Sequence, residues 1–68
     1  MIMNDGMKNS PKFILVKRYG APLYINANWI ESVNSIDGET HIWIGGDTQG
    51  PIIASEPIEE IMRRITDD

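Results

Sequence analysis

Cysteine is absent from this 68-residue chain, and histidine occurs once, as His41. Disulfides and cysteine-based zinc sites are therefore excluded, and one chain cannot build a histidine cluster. A chain of this length buries only about 60% of the surface that it exposes when unfolded, so small folds often rely on a disulfide, a metal or a partner subunit. Since no motif indicates a metal or cofactor, we expect neither, and self-association remains as the stabilising device.

Long apolar runs and a basic surface are also lacking. No apolar run approaches the roughly 18 residues that indicate a membrane-spanning helix, and the N-terminus lacks the basic and apolar regions of a secretory signal. Six Lys and Arg stand against ten Asp and Glu, a net charge of -4 that argues against nucleic-acid binding. Four of the six cations form the pairs Lys17-Arg18 and Arg63-Arg64, which we interpret as solvated ends of a strand and a helix. The expected location is the cytoplasm.

Catalytic motifs are missing as well. His41 lies on a predicted strand beside Trp43, without a nucleophile or partner carboxylate nearby in the sequence. The serines have no nucleophile-elbow context, and no Lys-Ser/Thr follows the Gly45-Gly46 turn as a phosphate loop requires. The sequence therefore predicts a protein that is not an enzyme.

Ordered structure is expected to begin at Lys12. Residues 1–11 show no apolar periodicity and are predicted to be a disordered tail, in which Met1, Met3 and Met7 are alternative translation starts. Residues 12–66 then form a single β-rich domain. Its first strand is the apolar run 13–16, its first turn is Gly20-Ala21-Pro22, and its second strand, 23–26, alternates with period two.

Asn26-Ala27-Asn28 interrupts this alternation, which resumes from Trp29 to Asn34. Because asparagine tolerates left-handed backbone geometry, we expect a third strand with a bend or bulge near its start. Asp37-Gly38 predicts a type I′ hairpin turn into a fourth strand, 40–44. A glycine-rich turn then leads to a short fifth strand, 51–54.

The chain closes with a predicted amphipathic helix at about residues 56–66. Its apolar stripe has the spacing i, i+3, i+4, i+7 and consists of Ile58, Ile61, Met62 and Ile65. The fold class is therefore α+β: a small antiparallel, strongly curved sheet or partial barrel of four to five strands, followed by one C-terminal helix. Whether the sheet is open or closed is not decided by the pattern.

Aromatic residues supply the candidate interaction surface. One helix covers one sheet face, so if the isoleucine face packs on the helix, the aromatic face is left for a partner. The alternative is a closed barrel that buries both sets. The candidate surface comprises Tyr24, Trp29, His41 and Trp43.

The span from Phe13 to Ile65 resembles the flagellar FlbD family of small bacterial proteins. The resemblance rests on Gly20, Asn26-Ala27, Ile30-Glu31, Val33 and Glu59-Glu60-Ile61. It implies a cytoplasmic accessory protein linked to flagellar function, without enzymatic activity. Trp29, Trp43 and Pro57 depart from the family pattern.

Three functions compete at this point. The leading one is a non-enzymatic protein-interaction module that acts as a homo-oligomer. The first alternative is a binder of a nucleotide-like ring stacked on Trp29 or Trp43. The second follows a weaker resemblance to LytTR-type DNA-binding domains, which the acidic or neutral loops at 37–39 and 47–49 disfavour.

Overall fold

Five antiparallel strands and one helix form an α+β fold in the computed structural model, which describes residues 11–46 and 49–67. The elements are β1 (Phe13–Arg18), β2 (Ala21–Asn26), β3 (Ile30–Ile36), β4 (Glu39–Ile44), β5 (Ile52–Ala54) and α1 (Ile58–Thr66). Strands β1 and β2 form one sheet, and β3, β4 and β5 form a second. The expected fold class is confirmed, with two sheets that are not closed into a barrel. The predicted tail, 1–11, lies outside the described residues except for Pro11.

The β1–β2 and β3–β4 hairpins each turn through two residues with positive φ. Asp37 and Gly38 have φ of 51° and 82°, which confirms the predicted turn between β3 and β4. The β1–β2 turn is Tyr19-Gly20, with φ of 52° and 79°. It comes earlier than predicted because Pro22 already pairs with Lys17 in the sheet. A proline is tolerated there because β2 is an edge strand.

The asparagine interruption is a short 3₁₀ turn, Ala27–Trp29. The Asn26 side chain caps it, since its Oδ1 accepts a hydrogen bond from the Asn28 amide at 2.9 Å. The pairing of β3 with β4 then shifts register between Ile30 and Ser32. The predicted bend or bulge near the start of the third strand is confirmed as this shift of register, but Trp29 precedes the strand instead of opening it.

The core draws on both sheets and the helix. Its buried apolar residues are Ile14, Val16, Ile25, Ile42, Ala54 and Ile61. Thr40 is the buried polar residue beside them, and its Oγ1 donates a hydrogen bond to the Glu56 carbonyl at 2.7 Å. Because that hydroxyl is paired, its burial carries little penalty.

Helix α1 begins at Ile58, two residues later than predicted. Pro57 is its N-cap and has an extended backbone, with φ -67° and ψ 155°. Ile61 is fully buried on the core side of the predicted stripe, whereas Met62 is 40% exposed. The structure describes no helix long and apolar enough to cross a membrane.

The helix segment also completes the edge of β1 that faces β5. Strand β5 is only three residues long, and one backbone bond, from the Ser55 amide to the Lys17 carbonyl at 2.8 Å, continues its contact with β1. Elsewhere on this edge, side chains and not a neighbouring strand form hydrogen bonds with the β1 backbone. Glu56 accepts a hydrogen bond from the Lys17 amide at 3.0 Å, and Arg64 donates to the Leu15 carbonyl at 2.7 Å.

Candidate interaction surface

An open groove of about 290 Å³ lies where β2 meets the ends of β4 and β5. We call it the aromatic groove. It is lined by Phe13, Leu23, Tyr24, Ile25, Asn26, Trp29, Ile44 and Ile52. The aliphatic lining residues belong to the core or pack against it, while Phe13, Tyr24 and Trp29 are 58, 66 and 65% exposed. The groove therefore exposes the margin of the core beside three aromatic side chains.

Local backbone structure places each aromatic residue. On β2, strand alternation directs Ile25 inward, and Tyr24 therefore remains exposed. On β1, Phe13 alternates with the buried Ile14 in the same way. Trp29 is held by the 3₁₀ turn, and its carbonyl accepts a hydrogen bond from the Gly45 amide at 2.8 Å. The rings are thus carried on backbone that is fixed by pairing.

The four residues predicted as the interaction surface do not form one patch. Tyr24 and Trp29 line the aromatic groove, where Phe13 joins them. His41 and Trp43 alternate with buried Thr40 and Ile42 on β4, so they face the other side of that sheet. Phe13 was not predicted, because residues 13–16 are all apolar and their sequence has no alternation to show which of them is exposed.

His41 and Trp43 use their polar atoms within the sheet. Trp43 Nε1 donates to Asn34 Oδ1 at 3.1 Å, and His41 Nε2 lies 3.2 Å from Glu39 Oε1. The interpretation that His41 lacks a nearby carboxylate was wrong, since Glu39 lies two residues earlier on the same face. Both rings are half-buried and are therefore less available to a partner than the groove aromatics. Among the described residues, no group of three or more His, Asp or Glu is placed to hold a metal ion.

An ion-pair cluster joins α1 to β1. Arg64 Nη1 donates to Glu56 Oε2 at 2.6 Å, and Arg64 Nε donates to Glu60 Oε2 at 3.2 Å. Burial alone would raise the pKa of Glu56, but hydrogen bonds from the Lys17 amide and from Arg64 outweigh it, so the pKa is lowered. Hydrogen bonding to Glu56 raises the pKa of Arg64. Arg64 is thus a half-buried structural cation and not a solvated helix end.

The chain matches no family model, no curated protein and no solved structure. Membership of the FlbD family stays a prediction.

Proposed function

We propose that this protein is a non-enzymatic protein-interaction module that acts as a homo-oligomer. The observation that carries the proposal is the aromatic groove, in which three exposed aromatic side chains stand beside the apolar margin of the core. Exposed apolar clusters of this kind are typical of interaction sites, where aromatic residues are enriched.

The size of the core supports self-association. Six buried apolar residues, three of them fully buried, hold the described part of the chain together. The chain has no cysteine to add a disulfide. A second subunit that binds only the folded form would stabilise it by mass action.

Sedimentation velocity on the full chain tests the proposal. We expect the mass to rise above the monomer value of 7.7 kDa as the concentration is raised from about 5 μM to about 1 mM. Measurements at about 0.15 M and 0.5 M salt separate weak affinity from repulsion between acidic copies, because added salt screens that repulsion. A monomer at every concentration and at both salt levels would reject self-association.

A small ligand is the second candidate occupant of the groove. Trp29 is exposed and lines the groove together with Asn26, a pair of residues suited to a flat heterocycle that stacks on the ring and forms a hydrogen bond. No described residue that lines the groove is charged, so the recognised part would be the ring and not a phosphate. Titrating nucleosides into a Trp43→Phe variant tests this through Trp29 fluorescence. An unchanged spectrum at saturating ligand would eliminate the candidate.

An FlbD-like accessory role is part of the same proposal. Two residues that carry the resemblance have structural roles here: Gly20 adopts positive φ in a turn, and Asn26 caps the 3₁₀ turn. Such positions support a shared fold more directly than a shared partner. Deleting the gene and scoring motility tests the flagellar link, and normal motility would remove it.

A further inference from the structure

We propose that the aromatic groove is the contact between two copies of this chain. In the resulting two-fold dimer, Phe13, Tyr24 and Trp29 of each copy pack against the groove of the other. The inference rests on the proposed self-association and specifies the surface that carries it. A two-fold interface uses one self-complementary patch, and a groove flanked by exposed rings offers both the cavity and the residues to fill it.

The available area fits a weak dimer. A fully covered aromatic side chain buries roughly 150–250 Å². At 58, 66 and 65% exposure, the three rings together hold roughly 300–450 Å² that a partner can cover. A standard interface buries about 800 Å² per partner, so the rings supply about half of that area and the rest of the groove must add to it. We therefore expect a dissociation constant in the micromolar range or weaker.

The absence of charged side chains among the described groove residues favours a second copy of this acidic chain as the partner. Each chain carries a net charge of -4, so two copies associate best where no carboxylate must be desolvated. The described residues that line the groove include no charged side chain. A strongly charged partner would find no complementary charge there, whereas a second copy presents the same neutral aromatic surface.

The backbone edge of β2 is a poorer contact than its side chains. Since Arg18 and Ala21 flank the two-residue turn, Pro22, Tyr24 and Asn26 direct their backbone groups away from β1. Pairing two copies of β2 about Tyr24 would place Pro22 opposite Asn26 of the partner subunit. Because proline has no N–H, that ladder loses a hydrogen bond on each side. Packing of the rings in the groove is the remaining mode.

Two groove variants and one control test the inference by sedimentation velocity. Trp29→Ala and Tyr24→Thr should each raise the dimer dissociation constant about tenfold or more, because each removes a central aromatic contact. Tyr19→Asn is the matched control: it deletes an aromatic residue that is 80% exposed but lies outside the groove, and the constant should stay within about twofold. Far-UV circular dichroism and urea midpoints verify that each variant is folded.

Fluorescence provides a readout at the contact itself. The chain has two tryptophans, so Trp43→Phe leaves Trp29 as the single reporter. Its emission should shift to shorter wavelength with increasing concentration, following the same dissociation constant as the mass. The Trp29→Phe variant, which reports on Trp43, should show no such shift.

The failure of the surface and the failure of self-association are distinguishable. If wild type associates but both groove variants keep its dissociation constant, the groove is not the contact, while the proposed function stands. If wild type is monomeric throughout, both fail. A third outcome is that Trp29 already emits at short wavelength in the dilute monomer, and that its emission shifts to longer wavelength in a Met3→Ser/Met7→Ser variant. The groove is then occupied by the chain's own first ten residues, which overturns the dimer contact.

Discussion

At the scale of single residues, Arg64 connects the helix to the sheet that it covers. Its guanidinium contacts Glu56 and Glu60, and it also donates to the Leu15 carbonyl at 2.7 Å. The Leu15 carbonyl lies on the edge of β1 beyond the reach of β5. The Arg64 side chain thus supplies the hydrogen-bond donor that the backbone of a neighbouring strand would otherwise provide to this carbonyl.

Replacing Arg64 with Met should destabilise the protein by about 1–3 kcal/mol. The change removes the donor to Leu15 and the cation beside Glu56, whose side chain is only 12% exposed. This loss is smaller than that expected for a fully buried ion pair, because the Arg64 side chain is 29% exposed. Urea unfolding measures the loss. Arg63→Met is the matched control, since Arg63 contacts Glu60 within the helix at 69% exposure, and equal losses in the two variants would refute the assigned role of Arg64.

The Glu56 carboxylate should make stability depend on acid. Its pKa is lowered in the folded state because hydrogen bonds from the Lys17 amide and from Arg64 outweigh the effect of burial. The ionised form therefore stabilises the fold above the pKa of an unfolded glutamate, about 4.3, and this contribution is lost as pH falls through the folded pKa. Urea midpoints between pH 7 and pH 2.5 should fall less steeply below pH 4.3 for Glu56→Gln than for wild type. Parallel curves would show that other carboxylates dominate.

At the scale of elements, the two hairpins differ in how well their residues suit their turns. Asp37-Gly38 is a favoured type I′ pair, whereas Tyr19 places a bulky side chain at φ 52°. The Arg18 Cζ lies 5.6 Å from the centroid of the Tyr19 ring, a cation–π contact worth about 0.5–1 kcal/mol at an exposed site. That contact offsets part of the strain.

Because the Arg18 contact offsets only part of this strain, Tyr19→Asn should stabilise the β1–β2 hairpin by about 0.5 kcal/mol. Asparagine tolerates the left-handed region at lower cost than tyrosine. Thermal unfolding followed by circular dichroism measures the gain. Gly38→Ala, which places a Cβ at φ 82°, should act in the opposite direction by about 1 kcal/mol. A loss in Tyr19→Asn would mean that the Arg18 stack outweighs the backbone strain.

The local sequence pattern predicted the strands and the helix better than it predicted which of them pack together. Alternation and the Asp37-Gly38 pair gave the strands and one hairpin, because both signals depend on neighbouring residues. The helix begins later than predicted because Pro57 has an extended backbone, and the Glu56 side chain before it contacts Lys17, which is 39 residues away in sequence. The division into two sheets likewise depends on the short β5 and on Arg64 at the edge of β1. Such long-range contacts leave no periodic signal in the sequence.

The candidate surface shows the same limit. The sequence indicated that Tyr24 and Trp29 are exposed, but it placed them in one surface with His41 and Trp43. That grouping assumed a single sheet with two faces. Because the strands form two sheets, exposed residues of β2 and of β4 lie on different surfaces of the molecule. Of the four predicted residues, only Tyr24 and Trp29 line the groove.

At the scale of the whole molecule, one core joins the two sheets. Helix α1 contacts both β1 and β3, so its buried Ile61 links the sheets from the helix side. The aromatic groove lies at another margin of the same core, between β2 and the ends of β4 and β5. Subunit contact there would extend the core into a second copy, so folding and association should be coupled.

Ile61→Ala tests that coupling. Removing this fully buried side chain should cost about 2–5 kcal/mol, a large share of the roughly 3–10 kcal/mol expected for a domain of this length. Thermal unfolding at about 5 μM and about 500 μM measures the result, and association should raise the midpoint at the higher concentration in both wild type and variant. Met62→Ala, on the same helix at 40% exposure, is the control and should cost less than about 1 kcal/mol. Similar losses in the two variants would mean that Ile61 does not link the sheets, whereas midpoints independent of concentration would separate folding from association.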